Sequence, residues 1–533
     1  MLKDKMIMKI SIKREQSQTG LSFAEREKFG TKFKKIFQWA LAAALICGIS
    51  FAAASCSKDD DNDIVPPEEQ PDNGANSSSD DIGYVECSWN GTQVVKTNKV
   101  VKANRLNDIS VDRLIVADYS GTWYVTGSHR IPGGFRVTEG KELNIILCDG
   151  AELQLNCILV DGEGSKLRIF GQENGTGKLN VTVARGDYPA IGASLKSGCD
   201  IEIHGGYITA KGDDYPITGG PGIGAGKDPD KPGAPYFNSI MIYGGTINAQ
   251  GGNDAAGIGG CQDTPNGYGH VYIYGGNVTA QGGEYAAGIG GGDNKRLASI
   301  NIHGGTVFAY SGVDGAGIGG GEDGDSGDIL ITGGNVLAYG DRNASGNHNG
   351  YGAGIGSGQD GSVNKIIIKG GNVTAYGGED AAGIGTGEEL EKDGIISGTI
   401  EIHGGKVYAQ GKGYGAGIGA GEDATFGVLG ISGGRVEAKA GADCGNWSGG
   451  IGAYHKSHSD GCHIGWAGWE RIYIGAGMRL WTYSKGNGYK ESVTIGNQWW
   501  DFVHQRPEAI IDVCDHEGWA VCPLCYPYTI QLK

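Results

Sequence analysis

Outside its first 55 residues, the chain has little positive charge and no basic stripe, which excludes nucleic acid as a partner. Those 55 residues hold ten Lys/Arg against four Asp/Glu, so a total of −17 leaves about −23 on the remaining body. Metal-hydrolase and nucleotide signatures are lacking too. No HExxH is present, and no glycine-rich stretch carries the lysine of a phosphate-binding loop. Glycine does not recur at every third residue, so collagen is excluded. The nonapeptide of calcium-binding β-rolls is absent as well.

Glycine itself is present in excess, at 101 of 533 positions. It is spaced by short alternating apolar runs, as tight turns between short strands require. "IHGGTVFAYSGVDGAGIGGG", Ile302 to Gly321, is one copy of a sentence written about eight times. Glycine pairs recur at Gly205-Gly206, Gly244-Gly245, Gly275-Gly276, Gly304-Gly305, Gly333-Gly334, Gly370-Gly371, Gly404-Gly405 and Gly433-Gly434, mostly 29 to 37 residues apart. Each pair follows one alternating strand and precedes another, and an "AGIG" element closes the unit. Three short strands per unit with glycine corners describe one coil of a parallel β-helix. One coil cannot bury its apolar side alone, so Ile300, Ile329, Ile366 and Ile400 should stack, as should Val307, Val336, Val373 and Val407.

The N-terminus reads as a lipoprotein signal over 1–55, with an unusually long stretch before its apolar run. Ala53, Ala54 and Ser55 precede Cys56, the expected lipidation site. A disordered acidic tether follows over 56–81. We expect an N-terminal β cap and first coils over 82–164, glycine-rich repeats over 165–462, and a C-terminal β cap over 463–533. The continuation "CSKDDDND" resembles the acidic surface-export tag of Bacteroidota lipoproteins, which implies the outer membrane with the body facing outward. The alternative is an ordinary membrane anchor, and the body is expected to be a monomer.

"LRIFGQENGTGKLNVTV", the "IxIxGGxVxA" coils and the "AGIGGG" turns resemble Gly-rich right-handed parallel β-helix surface lipoproteins of gut Bacteroidota, within the pectate-lyase-like superfamily. The resemblance spans Gly121 to Ile451. It implies an all-β right-handed solenoid of about nine or more coils. It also implies a role in polysaccharide breakdown or binding.

Two outward columns carry the candidate chemistry. One precedes the glycines and includes His204, Tyr243, Tyr274, His303, Lys369 and His403. The other closes the second strand and includes Gln281, Tyr310, Tyr339 and Tyr376, read as a platform for sugar rings. After Tyr339 the chain inserts "GDRNASGNHNGYG", bringing Arg342, Asn347, His348 and Tyr351; a later insertion brings Trp447. Lyase chemistry by β-elimination needs a base, a carboxylate neutraliser and an acid. His303, Tyr310, Tyr339, Arg342, His348 and Lys369 hold that inventory as catalytic candidates. Tyr274, Gln281, Asn347, Tyr351, Tyr376 and Trp447 are the substrate-binding ones. The expected substrates are uronic-acid polysaccharides such as glycosaminoglycans or pectins. The same face could instead serve a non-catalytic binding module or adhesin.

Two metal readings complete the expectations. Carboxylates one coil apart repel unless hydrated or bridged, so Asp314 and Asp380 are candidate calcium ligands. Cys514, His516, Cys522 and Cys525 match a structural zinc set, in competition with a disulfide. No organic cofactor is expected.

Overall fold

The computed structural model describes residues 79–533, apart from 107–115, 184–187, 196–197, 214–218, 227–234, 342–349, 389–397, 425–426, 442–449, 455–470, 475–478, 485–487, 495–497, 501–507 and 513–533. Every extended element among the described residues is a β-strand. They form three sheets of 15, 14 and 12 strands, each visited once per coil. Within the repeats the strand-to-strand pairings are parallel. The chain is therefore a parallel β-helix, right-handed as parallel crossover connections are.

Repetition in sequence becomes register in space. Ile300 pairs with Ile329, Ile329 with Ile366, and Ile366 with Ile400. Val307, Val336, Val373 and Val407 form the matching column in the second sheet. All eight side chains are buried. Period-two alternation on both strands aims one apolar stripe inward, and stacking at strand spacing gives each stripe its neighbours.

Glycine serves two purposes at the corners. Gly305 adopts φ +82°, which other residues rarely take. Gly304 has ordinary φ, but a Cβ there would stand 2.4 Å from the Tyr274 carbonyl oxygen of the previous coil. The third sheet is tighter still. Gly356 sits at φ +148°, and a Cβ on it would lie 1.7 Å from the Gly385 oxygen. That is why this sheet repeats "IG" in each coil from Ile191 to Ile451.

Ahead of the coils, strand β1 (Asp80–Trp89) and strand β2 (Val94–Arg105) form an antiparallel hairpin. The end of β2 joins the first sheet at Asn104 and Arg105. β1 touches a coil edge through Val85 opposite Gly171. At the other end the pattern turns antiparallel. Arg435–Lys439 of the second sheet pairs with Glu508–Asp512, and Arg471–Ile474 of the first sheet pairs with Gln498–Trp500. Antiparallel end strands interrupt the parallel stacking along which further coils would add.

Candidate functional site

The column before the glycines is a continuous aromatic ladder. Phe170, His204, Tyr243, Tyr274 and His303 stack one coil apart, with centroids 4.5 to 5.2 Å apart and planes within 19°. Strand β1 lies along it. Tyr84 meets Phe170 edge-on, and Trp89 at the hairpin end stacks on Tyr274 at 5.2 Å and His303 at 5.5 Å. Between them the Cys87 amide donates to His204 Nδ1 at 3.1 Å, and the Cys87 thiol donates to the His204 carbonyl at 3.3 Å. Tyr274 and His303, candidates for substrate binding and catalysis, thus carry the hairpin. Burial holds the His303 imidazole below its usual pKa.

Glu202 anchors the same region. It accepts from Lys166 at 3.1 Å and Arg168 at 2.9 Å, and lies 3.3 Å from His204 Nε2. Burial alone would raise its pKa. Hydrogen bonds from His204 and Lys166, with the charge of Arg168, outweigh that and bring it down to about 2. Farther along the column Lys369 is exposed, and His403 bonds Ser432 and Glu401 at 2.7 and 3.0 Å.

The second-sheet column differs from a flat platform. Tyr310 is only 4% exposed, and its hydroxyl donates to Gln281 Oε1 at 3.0 Å. Tyr339 and Tyr376 stack at 4.9 Å with planes 12° apart. Rings stacked along the axis spend their faces on each other and present edges and hydroxyls outward. Phe308 joins Tyr310 to Tyr339, at 5.0 and 5.8 Å, and Tyr408 continues from Tyr376 at 5.9 Å. The result is an aromatic strip over four coils. On the five strands from Thr246–Gln250 to Asn372–Tyr376, every outward position is Asn, Thr, Gln, Phe, Leu or Tyr. None is charged.

At its C-terminal end the strip opens into a shallow depression of about 250 Å³, lined by Asn372, Tyr376, Lys406, Tyr408, Arg435 and Glu437 among others. The registers place Asn372, Lys406 and Arg435 in one row, and Tyr376, Gln410 and Lys439 in another. Lys406, Tyr408 and Arg435 were not among the sequence candidates. The readable signal was charge entering an otherwise neutral outward pattern.

His303 and Tyr310 lie at opposite ends of the strand Thr306–Tyr310, on the order of 15 Å apart at about 3.3 Å per residue. Lys369 and Tyr376 bracket Asn372–Tyr376 in the same way. The catalytic candidates therefore divide between two edges of one face. Arg342, Asn347, His348 and Trp447 lie outside the described residues, as do Cys56, Cys514, His516, Cys522 and Cys525. Cys87, Cys148, Cys157, Cys199 and Cys261 are buried and unbridged.

On the side of the third sheet, Asp254, Tyr285, Asp314, Tyr351, Asp380 and Tyr414 alternate coil by coil, so aspartates recur only every second coil. The Asp380 carboxylate accepts from the Tyr414 amide at 2.8 Å. Burial, then nearby carboxylates led by Glu284, push the Tyr285 phenol up to about 12; Tyr351 is raised in the same way, led among carboxylates by Glu388. Ligand oxygens of Asp380, Glu388 and Glu422 all lie within 4.8 Å of one another. Asp314 is not in that group. Glu388 and Glu422 were not among the sequence candidates. Asp323, Asp360 and Asp423 stand at φ +55° to +58°, a turn conformation that Asp and Asn tolerate. Backbone need accounts for that acidic column.

Seven stretches match the beta helix repeat family, at residues 201–227, 240–260, 271–293, 300–322, 329–359, 366–388 and 400–422. No curated protein and no solved structure gives a significant match to the chain. The repeat match and the three parallel sheets agree on the class, a parallel β-helix.

Proposed function

We propose that this protein holds a polysaccharide along the outer face of its second sheet, as a glycan-binding module at the cell surface. The observation that carries the reading is the charge-free amide, hydroxyl and aromatic strip from Thr246 to Tyr376, in a chain that is 20% charged. A solvated face on such a chain would share the charge. Sugars pair with amides and hydroxyls and pack on aromatic edges. The coil spacing of about 4.8 Å repeats the same groups along the axis, matching a repeating polymer. The experiment is retardation of the body from residue 79 onward in gels containing pectin, alginate, glycosaminoglycan or neutral glycan. Retardation by none of them ends this reading.

A second reading is a lyase that cleaves uronic-acid polysaccharides by β-elimination. It is favoured by the depression, where Tyr408, Lys406 and Arg435 supply an acid, a base and a carboxylate neutraliser within two coils. Its assay is ultraviolet absorbance of the unsaturated uronide. A flat trace on every uronide polymer that binds removes the lyase and leaves the module.

The remaining parts belong to the same proposal. Cys56 carries lipid, the outer membrane holds the anchor, and the body works as a monomer. Calcium occupies carboxylates between coils at Asp380, with Asp314 as the other candidate. Cys514, His516, Cys522 and Cys525 staple the C-terminus through zinc or a disulfide.

A further inference from the structure

We infer that the depression at the C-terminal end of the strip is a subsite for an anionic sugar, a pyranose bearing a carboxylate or a sulfate ester. The inference rests on the glycan-binding reading and adds where along the face charge is recognised.

Three observations converge there. The first is where the stack stops. Tyr376 has a face-stacked tyrosine on one side only, because its register partner one coil on is Gln410. Gln410 accepts the Tyr408 hydroxyl at 2.8 Å, and the Tyr408 ring stands tilted by 57° to Tyr376. At this step the Tyr376 and Tyr408 side chains line open volume, and an aromatic beside open volume is what a pyranose packs against.

The second is charge. Lys406, Arg435 and Lys439 enter on the two coils after five charge-free strands, against the single carboxylate of Glu437. Lys439 lies 3.4 Å from Glu437 and also sits over the Tyr408 ring at 5.5 Å. On these two strands three cations stand against one carboxylate, with Glu508 opposite Lys439 on the antiparallel strand beyond, whereas the five preceding strands carry no outward charge.

The third is depth. Arg435 is 9% exposed and lies in the floor, while Lys406 in the same row is exposed at the rim. A charge held in the floor acts through less solvent than one on the open surface, so its pull on an anion is stronger. The planar guanidinium also suits the two oxygens of a carboxylate or sulfate.

The test compares polygalacturonate with its carboxyl-reduced form, and dextran sulfate with dextran, by affinity electrophoresis and calorimetry. Wild type should bind at least one anionic polymer about tenfold more tightly than its neutral counterpart. Lys406→Gln should abolish that preference, and Lys406→Arg should restore it. A preference for polygalacturonate assigns a carboxylate; one confined to dextran sulfate assigns a sulfate ester. Equal binding of charged and neutral partners overturns the subsite but leaves the glycan face standing. So does a preference that Lys406→Gln does not change. Binding of no polymer overturns both.

Discussion

Tyr339 and Tyr376 sit ring on ring, 4.9 Å apart and 12° from parallel, although 37 positions separate them in the chain. Their contact follows from the register, which sets each residue of one coil on its counterpart in the next. The outer face of the second sheet is therefore a ribbon of hydroxyls and ring edges that ends at Tyr376. Tyr376→Ala should weaken glycan retention about five- to 150-fold, on the scale of roughly 1–3 kcal/mol that an aromatic stacking contact contributes in single-stranded nucleic-acid grooves. Calorimetry with the polymer retained in gels is the check, and unchanged affinity contradicts the assignment.

The third sheet sets the tightest limit on sequence. Gly356→Ala would place a Cβ 1.7 Å from a backbone oxygen of the next coil, with φ at +148° besides. A clash with backbone has no flexible side chain to absorb it. We expect destabilisation of more than about 4 kcal/mol, or no soluble protein. Gly430→Ala, where a Cβ meets nothing within 4 Å, is the control and should melt like wild type.

Hairpin docking has a titratable reporter. Burial keeps the His303 imidazole below its ordinary value, and Trp89 provides one of the covering rings. Trp89→Ala should raise the His303 midpoint toward about 6.5, followed by imidazole NMR. The sign for wild type follows. The covered ring prefers the neutral form, so docking weakens as pH falls below about 6.5. A midpoint indifferent to Trp89 would mean that the stack does not shelter the histidine.

Glu202 supplies a second pH signature. Its folded pKa of about 2 lies below the ordinary 4.5, so its contribution is complete above 4.5 and is lost as pH falls toward 2. Glu202→Gln should cost on the order of 2–3 kcal/mol at neutral pH, and much less at pH 2. Denaturant melts at the two pH values test this, and an equal loss at both would rule it out.

Calcium at the Asp380, Glu388 and Glu422 group should raise the melting temperature of wild type relative to chelator, and Asp380→Asn should remove that difference. A wild-type melt indifferent to calcium rejects the site.

Much of the fold was legible because the sequence repeats it. Ile300, Val307 and Ile318 recur with the same neighbours, and period-two alternation leaves one inward solution. The working face was less legible. Outward placement of Tyr339 and Tyr376 follows from alternation, but whether their ring faces or edges meet solvent depends on the neighbouring coils. The role of His303 could not be read at all. The hairpin that covers it contacts its own ladder across 117 positions, at Cys87 and His204, with no repeat to announce the pairing. Glu388 and Glu422 join Asp380 from two neighbouring coils, a proximity that a column of acidic letters does not encode.

The central claim is that the second sheet's outer face holds glycan. The most direct test is retention on polysaccharide gels of Tyr376→Ala beside Tyr272→Ala, a matched change on the first sheet's outer face. We predict that retention falls with Tyr376→Ala and persists with Tyr272→Ala. Equal retention of both variants, or loss with Tyr272→Ala alone, would contradict it.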